Sequence, residues 1–255
     1  MKIMVIHVAP KQFCSMKQGM EELEKFIQKN YASPGTQIIS SFPEEIAGAG
    51  AIHRKQMDAR AVCGLSHHLL APALVKKALE AQESGFDAVV QVNTYDPGIE
   101  ASRFVLKIPV LGVGQASCHL ASILADRIGI IVPFDTSIPN ARRRLKAYGV
   151  SDFVASIVPA NPRTDKNPTP EEVLQNFEDA GRKCLESGAQ IIVPLCGVFI
   201  PLTISAKALS ERIGAQVVDN LAVGIGLAEM LVRLGLTHSE IGYPSLVKIM
   251  SSDIS

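Results

Sequence analysis

The sequence has no tryptophan, no net charge and no CxxC cysteine pair. Its 25 basic and 25 acidic residues balance. We therefore predict no nucleic-acid partner and no anionic membrane surface as partner, because both attract a concentrated positive field. Apolar residues make up 47% of the chain and charged residues 20%, which excludes disorder as its main state. A length of 255 residues predicts one to two globular domains of about 150 residues each.

The cysteines are odd in number and irregular in spacing: Cys14, Cys63, Cys118, Cys184 and Cys196. Disulfide frameworks and structural zinc sites need paired or clustered cysteines, so neither is predicted. Reduced thiols indicate a cytoplasmic protein without a metal. Residues 1–10 lack the length and the cleavage site of a signal peptide.

One uncharged, mostly apolar stretch, residues 189–206, is long enough to be considered as a membrane span. Pro194, Gly197 and Pro201 interrupt it. We predict a buried strand that runs into a turn, and no membrane span.

Short apolar runs alternate with helical stretches along the chain. The pattern predicts strands at 2–8, 37–41, 88–92, 109–112, 128–132, 153–158, 191–195 and 216–218. It predicts helices at 15–29, 71–84, 99–105, 115–127, 138–148, 169–187, 204–212 and 223–234. Near-continuous apolar strands separated by helices indicate an α/β fold with parallel sheets and helices on both faces. In such folds, ligands bind at the carboxyl ends of the strands.

A Glu-Ser-Gly sequence precedes two of the predicted strands, about 100 residues apart. It occupies residues 83–85 before the strand at 88–92, and residues 186–188 before the strand at 191–195. Two related α/β halves would explain the repeat, and a site facing both strand ends would lie at their interface. A common helix exit repeated by chance explains it equally well.

Two of these strand ends carry residues that suit proton chemistry. Cys196 ends one strand and precedes Gly197, where backbone N–H groups and a helix N-terminus can lower a thiol pKa. The alternative is an inert buried cysteine. Asn93 and Thr94 follow the other strand and can donate hydrogen bonds to a carboxylate or enolate oxygen. The alternative there is a polar turn closed by Pro-Gly.

Two further patterns are weaker. Gly112 and Gly114 follow a strand and open a helix, as in a dinucleotide-binding fingerprint, but Ser117 replaces the third glycine. Residues 53–68 contain histidines and arginines that either form a lid over an anionic substrate or lie on the surface: His53, Arg54, Arg60, His67 and His68.

The chain as a whole resembles the aspartate/glutamate/hydantoin racemase superfamily, and most closely its hydantoin racemase branch. The resemblance rests on the order and spacing of residues 1–6, 96–98, 108–116, 127–131, 195–197, 218–219 and 227–236. It implies two pseudo-symmetric parallel-sheet lobes, 1–105 plus 214–255 and 106–213, with the active site at their interface. It also implies no cofactor and a homo-oligomer.

Racemases of this superfamily use two cysteines, one per lobe, on opposite faces of the substrate α-carbon. Cys196 matches the second cysteine. The first is missing, and either Asn93 or Val92 takes its place, depending on which branch is aligned. The Asn-Pro-Asn typical of the amino terminus is also changed, to a sequence beginning with His7. The resemblance implies Cys196 as acid/base, with substrate contacts from Asn93, Thr94, Tyr95, Gly197, Val198, His7 and Pro133.

Three functions stay open on this basis. The first is a cofactor-independent racemase or isomerase that moves a proton at a carbon α to a carboxylate or amide carbonyl. The second is a decarboxylase like arylmalonate decarboxylase, in which Cys196 is the sole proton donor. The third is an inactive protein that binds a small acid. The predicted substrate is a small carboxylate, amino acid or hydantoin-like molecule.

Overall fold

The computed structural model describes residues 1–13, 20–61, 64–163, 168–197, 199–245 and 247–254. The chain divides into two compact units, each with its own four-stranded parallel sheet. The first unit comprises 1–54, 65–113 and 224–255, and the second comprises 55–64 and 114–223. The predicted α/β fold with two parallel sheets is confirmed. The units change at 113/114 and 223/224, whereas the lobe bounds predicted from the sequence are 105/106 and 213/214.

The sheet of the first unit has the strand order β2-β1-β3-β4. Its strands are β1 (Lys2–His7), β2 (Gln37–Ser41), β3 (Ala88–Val92) and β4 (Val110–Gly112). Every residue of β3 is buried, as expected for a central strand covered on both faces. The chain passes from β1 to β2 on one side of the sheet and then to β3 on the other side of β1. The carboxyl ends of β1 and β3 therefore form a topological switch point, where such folds bind ligands.

The sheet of the second unit repeats this topology with the order β6-β5-β7-β8. Its strands are β5 (Ile128–Val132), β6 (Val154–Pro159), β7 (Ile191–Pro194) and β8 (Gln216–Val217). The switch point here lies between β5 and β7. Cys196 follows β7 by two residues, so it belongs to this switch point.

The helices connect the strands. They are α1 (Met20–Tyr31), α2 (Ala49–Asp58), α3 (Leu65–Glu83), α4 (Ile99–Val105), α5 (Val113–Leu124), α6 (Ile138–Ala147), α7 (Pro170–Glu186), α8 (Ala206–Ile213) and α9 (Asn220–Leu234). Among the described helices, none contains an apolar stretch long enough to cross a membrane.

Local sequence explains the start of α7 well. The Thr169 hydroxyl accepts a hydrogen bond from the Glu172 amide (3.2 Å), and the Glu172 carboxylate accepts one from the Thr169 amide (2.7 Å). This reciprocal pair satisfies two backbone donors that the helix itself cannot satisfy. Thr169 is therefore the N-cap of α7.

Most helix bounds differ from the predictions by one to three residues, and two helices differ more. α3 begins at Leu65 and not at residue 71, so Pro72 lies inside the helix and not in its first turn. A proline there lacks the N–H that would bond the carbonyl four residues earlier, which is why the sequence favours a later start. α2 was not predicted, because its apolar residues do not form a clear stripe. The predicted helix at 15–29 is observed from Met20 onward, and residues 15–19 lie outside the described residues.

Candidate active site

The long helices α3 and α7, one in each unit, end in the same way. The Gly85 amide donates to the Gln82 carbonyl (3.1 Å), and 103 residues later the Gly188 amide donates to the Leu185 carbonyl (2.9 Å). Both glycines have a positive φ, +74° and +87°, which glycine adopts without steric cost. The Glu-Ser-Gly repeat therefore marks equivalent helix ends in two similar halves.

The same offset continues into the strands. The Asp87 amide donates to the Lys2 carbonyl (2.8 Å), and the Gln190 amide, 103 residues after Asp87, donates to the Arg127 carbonyl (2.9 Å) at the start of the equivalent neighbouring strand. The offset pairs Cys196 with Asn93 and not with Val92. The residue at the strand end of one unit is thus a thiol, and its counterpart in the other unit is a carboxamide.

Cys196 is 4% exposed and belongs to an apolar cluster that includes Phe134, Phe199 and Ile200. Burial raises the pKa of its thiol well above the usual range, because an apolar environment disfavours the thiolate. The sequence suggested the opposite direction, through backbone N–H groups and a helix N-terminus. Desolvation outweighs such effects here, so the sulfur carries its proton near neutral pH and can act as a proton donor.

The neighbours of Cys196 continue the sheet. The Leu195 amide donates to the Ile131 carbonyl (2.8 Å), and this register places Pro133, which follows β5, beside Cys196. Pro133 is buried and Gly197 is half-buried. Pro133 and Gly197 therefore lie with the thiol at the carboxyl edge of one sheet. Val198 lies outside the described residues.

In the first unit, Asn93 closes a tight turn directly after β3. Its side-chain oxygen accepts from the Tyr95 amide, and its carbonyl accepts from the Asp96 amide, both at 2.9 Å. Asn93, Thr94 and Tyr95 are all buried. A carboxamide neither gains nor loses a proton near neutral pH, so Asn93 can bind an oxygen atom but cannot serve as a base.

A group of buried side chains lies behind this turn. The His67 ring stacks on Tyr95, with centroids 4.9 Å apart, and His53 Nδ1 lies 3.3 Å from Ser66 Oγ. Burial, with a smaller contribution from Arg54, lowers the pKa of His53 to about 4. Arg54 and His68 are exposed, so the histidine-rich segment is neither wholly surface nor a uniform lid. His67, Leu70 and Leu74 follow helical spacing, which is the signal in the sequence for a buried His67.

His7 is the last residue of β1 and pairs with Val92 of β3. Its ring stacks on Phe42, with centroids 4.3 Å apart and planes 3° apart. Burial lowers its pKa to about 4, so the imidazole is neutral at neutral pH. Among the described residues its Nε2 is buried without a hydrogen-bond partner, which leaves a polar atom at the switch point of the first sheet that a ligand can satisfy.

The glycine pattern at 112–114 has a structural reason in the same unit. A Cβ atom at Gly112 would lie 2.2 Å from Asp96 Cγ, so this position must be glycine to admit the buried Asp96 side chain. The turn after β3 and the end of β4 are therefore fitted to each other.

Within the described ranges, no group of three or more His, Cys, Asp or Glu side chains could hold a metal ion.

Known proteins similar in sequence to this chain are racemases. The family model described as Asp/Glu/Hydantoin racemase matches residues 31–228. A hydantoin racemase from Pseudomonas sp. (strain NS671) is 27% identical over 252 residues, covering 94% of this chain and 90% of that protein. A hydantoin racemase from Paenarthrobacter aurescens is 26% identical over 225 residues, covering 84% of this chain and 92% of that protein.

Solved structures share the fold. An allantoin racemase from Pseudomonas fluorescens has a TM-score of 0.79 at 25% identity, covering 98% of this chain and all of that chain. An unliganded arylmalonate decarboxylase has a TM-score of 0.55 at 14% identity, covering 91% and 92%. The second likeness concerns the fold alone.

Proposed function

Because the chain belongs to the Asp/Glu/hydantoin racemase family, we propose that it is a racemase-type enzyme acting without a cofactor. It would transfer a proton at a carbon α to a carboxylate or amide carbonyl of a small hydantoin-like or amino-acid substrate. The observation that carries the proposal is Cys196, a thiol at the switch point of a parallel sheet, directly beyond strand β7. Ligands of this fold class bind at such points.

We assign the acid/base role to Cys196. Its raised pKa supports proton donation as its resting role, since the free enzyme then holds a thiol and not a thiolate. As a base, the deprotonated Cys196 sulfur takes the α-proton and becomes the thiol, which returns a proton as the acid. The negative charge that removal of the proton leaves on the neighbouring carbonyl oxygen is stabilised by preformed hydrogen-bond donors. The residues proposed to contact the substrate are Asn93, Thr94, Tyr95, Gly197, Val198, His7 and Pro133.

The carboxamide at position 93 favours a second candidate. A reaction that needs only one proton donor is the decarboxylation of a malonate, in which loss of CO2 itself creates the enediolate and the thiol protonates it from one face. Asn93 would then bind an oxygen of the enediolate, a role that a carboxamide N–H can fill. A third candidate is a protein that binds a small acid without turning it over.

The test is exchange of the substrate α-hydrogen with heavy water, with a panel of hydantoins, amino acids and malonates. We expect exchange or decarboxylation by the native protein and a loss of about a thousandfold in Cys196→Ala, as is typical when a general acid/base is removed. Cys184→Ala is the matched control, because Cys184 is also a buried thiol of the second unit. It lies on α7 and its sulfur faces the middle of β5, 3.8 Å from the Ile130 carbonyl oxygen, and not a strand end.

Unchanged exchange in Cys196→Ala would contradict the proposal. Release of CO2 from malonates with a single product enantiomer would favour the decarboxylase. Saturable binding of an acid without turnover of any compound would favour the inactive binder. That the chain forms a homo-oligomer also stays a prediction, to be measured by light scattering on the full chain.

A further inference from the structure

We propose that Arg60 binds an anionic group carried on a substituent of the substrate, and so makes the enzyme selective for negatively charged substrates. The inference rests on the proposed function and names the substrate class more closely. All the residues that support it belong to the second unit, which also contains Cys196.

The guanidinium of Arg60 is held at the carboxyl edge of the second sheet. It lies over the Phe134 ring, 5.5 Å from the centroid, and its Nη2 donates to the Asn161 carbonyl (3.1 Å). Phe134 follows β5, and Asn161 follows β6. Arg60 is therefore fixed across the ends of two neighbouring strands.

The backbone of Arg60 is also held in place. Its φ is +54°, a left-handed conformation that costs a non-glycine residue about 1 kcal/mol. The Thr136 hydroxyl donates to its carbonyl (2.8 Å), and its amide donates to the Met57 carbonyl (3.1 Å). A surface arginine needs no such support, so these contacts indicate that the position of this side chain matters.

The charge of Arg60 is not neutralised by the described residues. No carboxylate of theirs forms an ion pair with Arg60, and its Nε is buried without a hydrogen-bond partner. The nearby Asp135 carboxylate accepts instead from the Asn161 side-chain amide (2.8 Å). A partly buried guanidinium with an unused donor is costly, and a carboxylate supplied by a ligand would satisfy both the charge and the donor.

The register relates Arg60 to the reacting thiol. The Asn161 amide donates to the Pro133 carbonyl (2.9 Å), so the chain after β6 stays paired with the chain after β5. Cys196 lies on the other side of β5, beside Pro133. Asn161 and Cys196 are thus two strand spacings apart, about 10 Å. Arg60 would bind a charge at the end of a substituent and not on the reacting carbon.

The test compares two hydantoins of nearly equal shape. One carries a 2-carboxyethyl group at C5, and the other carries the neutral 2-carbamoylethyl group. We measure kcat/KM for racemisation and, independently of turnover, binding by calorimetry. The variants are Arg60→Gln and Arg60→Lys. The matched control is Arg143→Gln, which removes an exposed arginine of helix α6 in the same unit.

We expect the native protein to prefer the carboxylate at least tenfold in kcat/KM and in affinity. Arg60→Gln should lose this preference through a drop of about 10- to 100-fold for the carboxylate, as for a charged hydrogen bond, with less than threefold change for the carboxamide. Arg60→Lys should retain part of the preference, since lysine keeps the charge but not the planar fork. Arg143→Gln should behave as the native protein.

No native preference for the carboxylate, or an equal loss for both compounds in Arg60→Gln, would overturn the inference. If the native protein racemises neither compound, the proposed function fails for these substrates, and the calorimetric preference and its loss in Arg60→Gln still decide the role of Arg60.

Discussion

The ends of β3 and β7 occupy equivalent positions in two similar sheets, yet they carry different chemistry. One ends in Asn93, a carboxamide whose oxygen is engaged within its own turn. The other ends in Cys196, a buried thiol. The segment from the end of the long helix to the strand end is repeated with an offset of 103 residues, but the reactive group is not. Backbone topology thus creates a place for a proton-transfer group twice, while single side chains decide whether one is present.

The two units also differ in their buried histidines. His7, His53 and His67 are buried in the first unit, whereas His119, the histidine of the second unit, is exposed. The interior of the first unit therefore holds imidazoles, and its counterpart of Cys196 is a carboxamide. Three experiments test whether these differences between the units matter for activity and stability.

The largest effect should come from restoring symmetry at the two strand ends. Asn93→Cys would place a thiol at the counterpart of Cys196 and supply a second proton-transfer group. Since inversion needs an acid on each face of the carbon, we expect racemisation of hydantoins to rise about a hundredfold. Circular dichroism of an enantiopure substrate measures this rate.

Thr94→Cys is the control for Asn93→Cys, since it places a thiol one residue away from the equivalent position. It should give no gain. A native racemisation rate in Asn93→Cys, or the same gain in both variants, would mean that the 103-residue register does not identify the missing group.

An effect of intermediate size is expected on the stability of the first unit at acidic pH. The pKa values of His7 and His53 are about 4 in the folded protein, below the ordinary 6.5. Unfolding therefore takes up protons in acid. Their contribution to stability is complete above pH 6.5 and is lost as the pH falls toward 4, at most about 3 kcal/mol for each. Amides of β1 and β3 should lose protection from hydrogen exchange before those of β5 and β7.

His7→Gln should remove part of this acid sensitivity, because glutamine does not titrate. Exchange is followed by mass spectrometry at several pH values between 7 and 4. Earlier loss of protection in the second unit, or an unchanged acid profile in His7→Gln, would contradict the assignment.

The smallest effect concerns the fit between Asp96 and Gly112, the last residue of β4. The equivalent strand of the second unit, β8, contains no glycine. Gly112→Ala places a Cβ 2.2 Å from Asp96 Cγ, so we expect a loss of about 2 kcal/mol in the free energy of unfolding from overpacking. Gly226→Ala in α9 is the control, because a Cβ there meets nothing within 4 Å.

The control should be neutral or slightly stabilising, since alanine favours a helix more than glycine does. Urea unfolding measures both variants. Equal stability of the two would mean that the turn after β3 can move freely away from β4.

The strands could be predicted from the sequence because their signal is local. The strands at 37–41, 88–92 and 128–132 have the predicted bounds, since continuous apolar runs between helices are typical of buried parallel strands. The N-cap at Thr169 was predictable for the same reason. α2 and the first turns of α3 were not, because the helix around Pro72 is stabilised by packing and not by local propensity.

The chemistry of the candidate site was harder to predict from the sequence. The sequence identified Cys196 and Asn93 as strand-end residues, because parallel strands present their carboxyl ends to ligands. It suggested a lowered thiol pKa, whereas burial raises it, since desolvation depends on apolar residues such as Phe199 and Phe134 that only the folded chain assembles.

The α/β class, the strands, every helix except α2 and the residues that end each strand could be derived from the sequence alone. These follow from short-range periodicity, which a linear pattern carries in full. The tertiary structure alone decided that Asn93 is the counterpart of Cys196, that His7 and His53 are buried, and that Arg60 lies on Phe134. Each of these depends on partners far apart in the chain, and burial and charge pairing exist only once those partners meet.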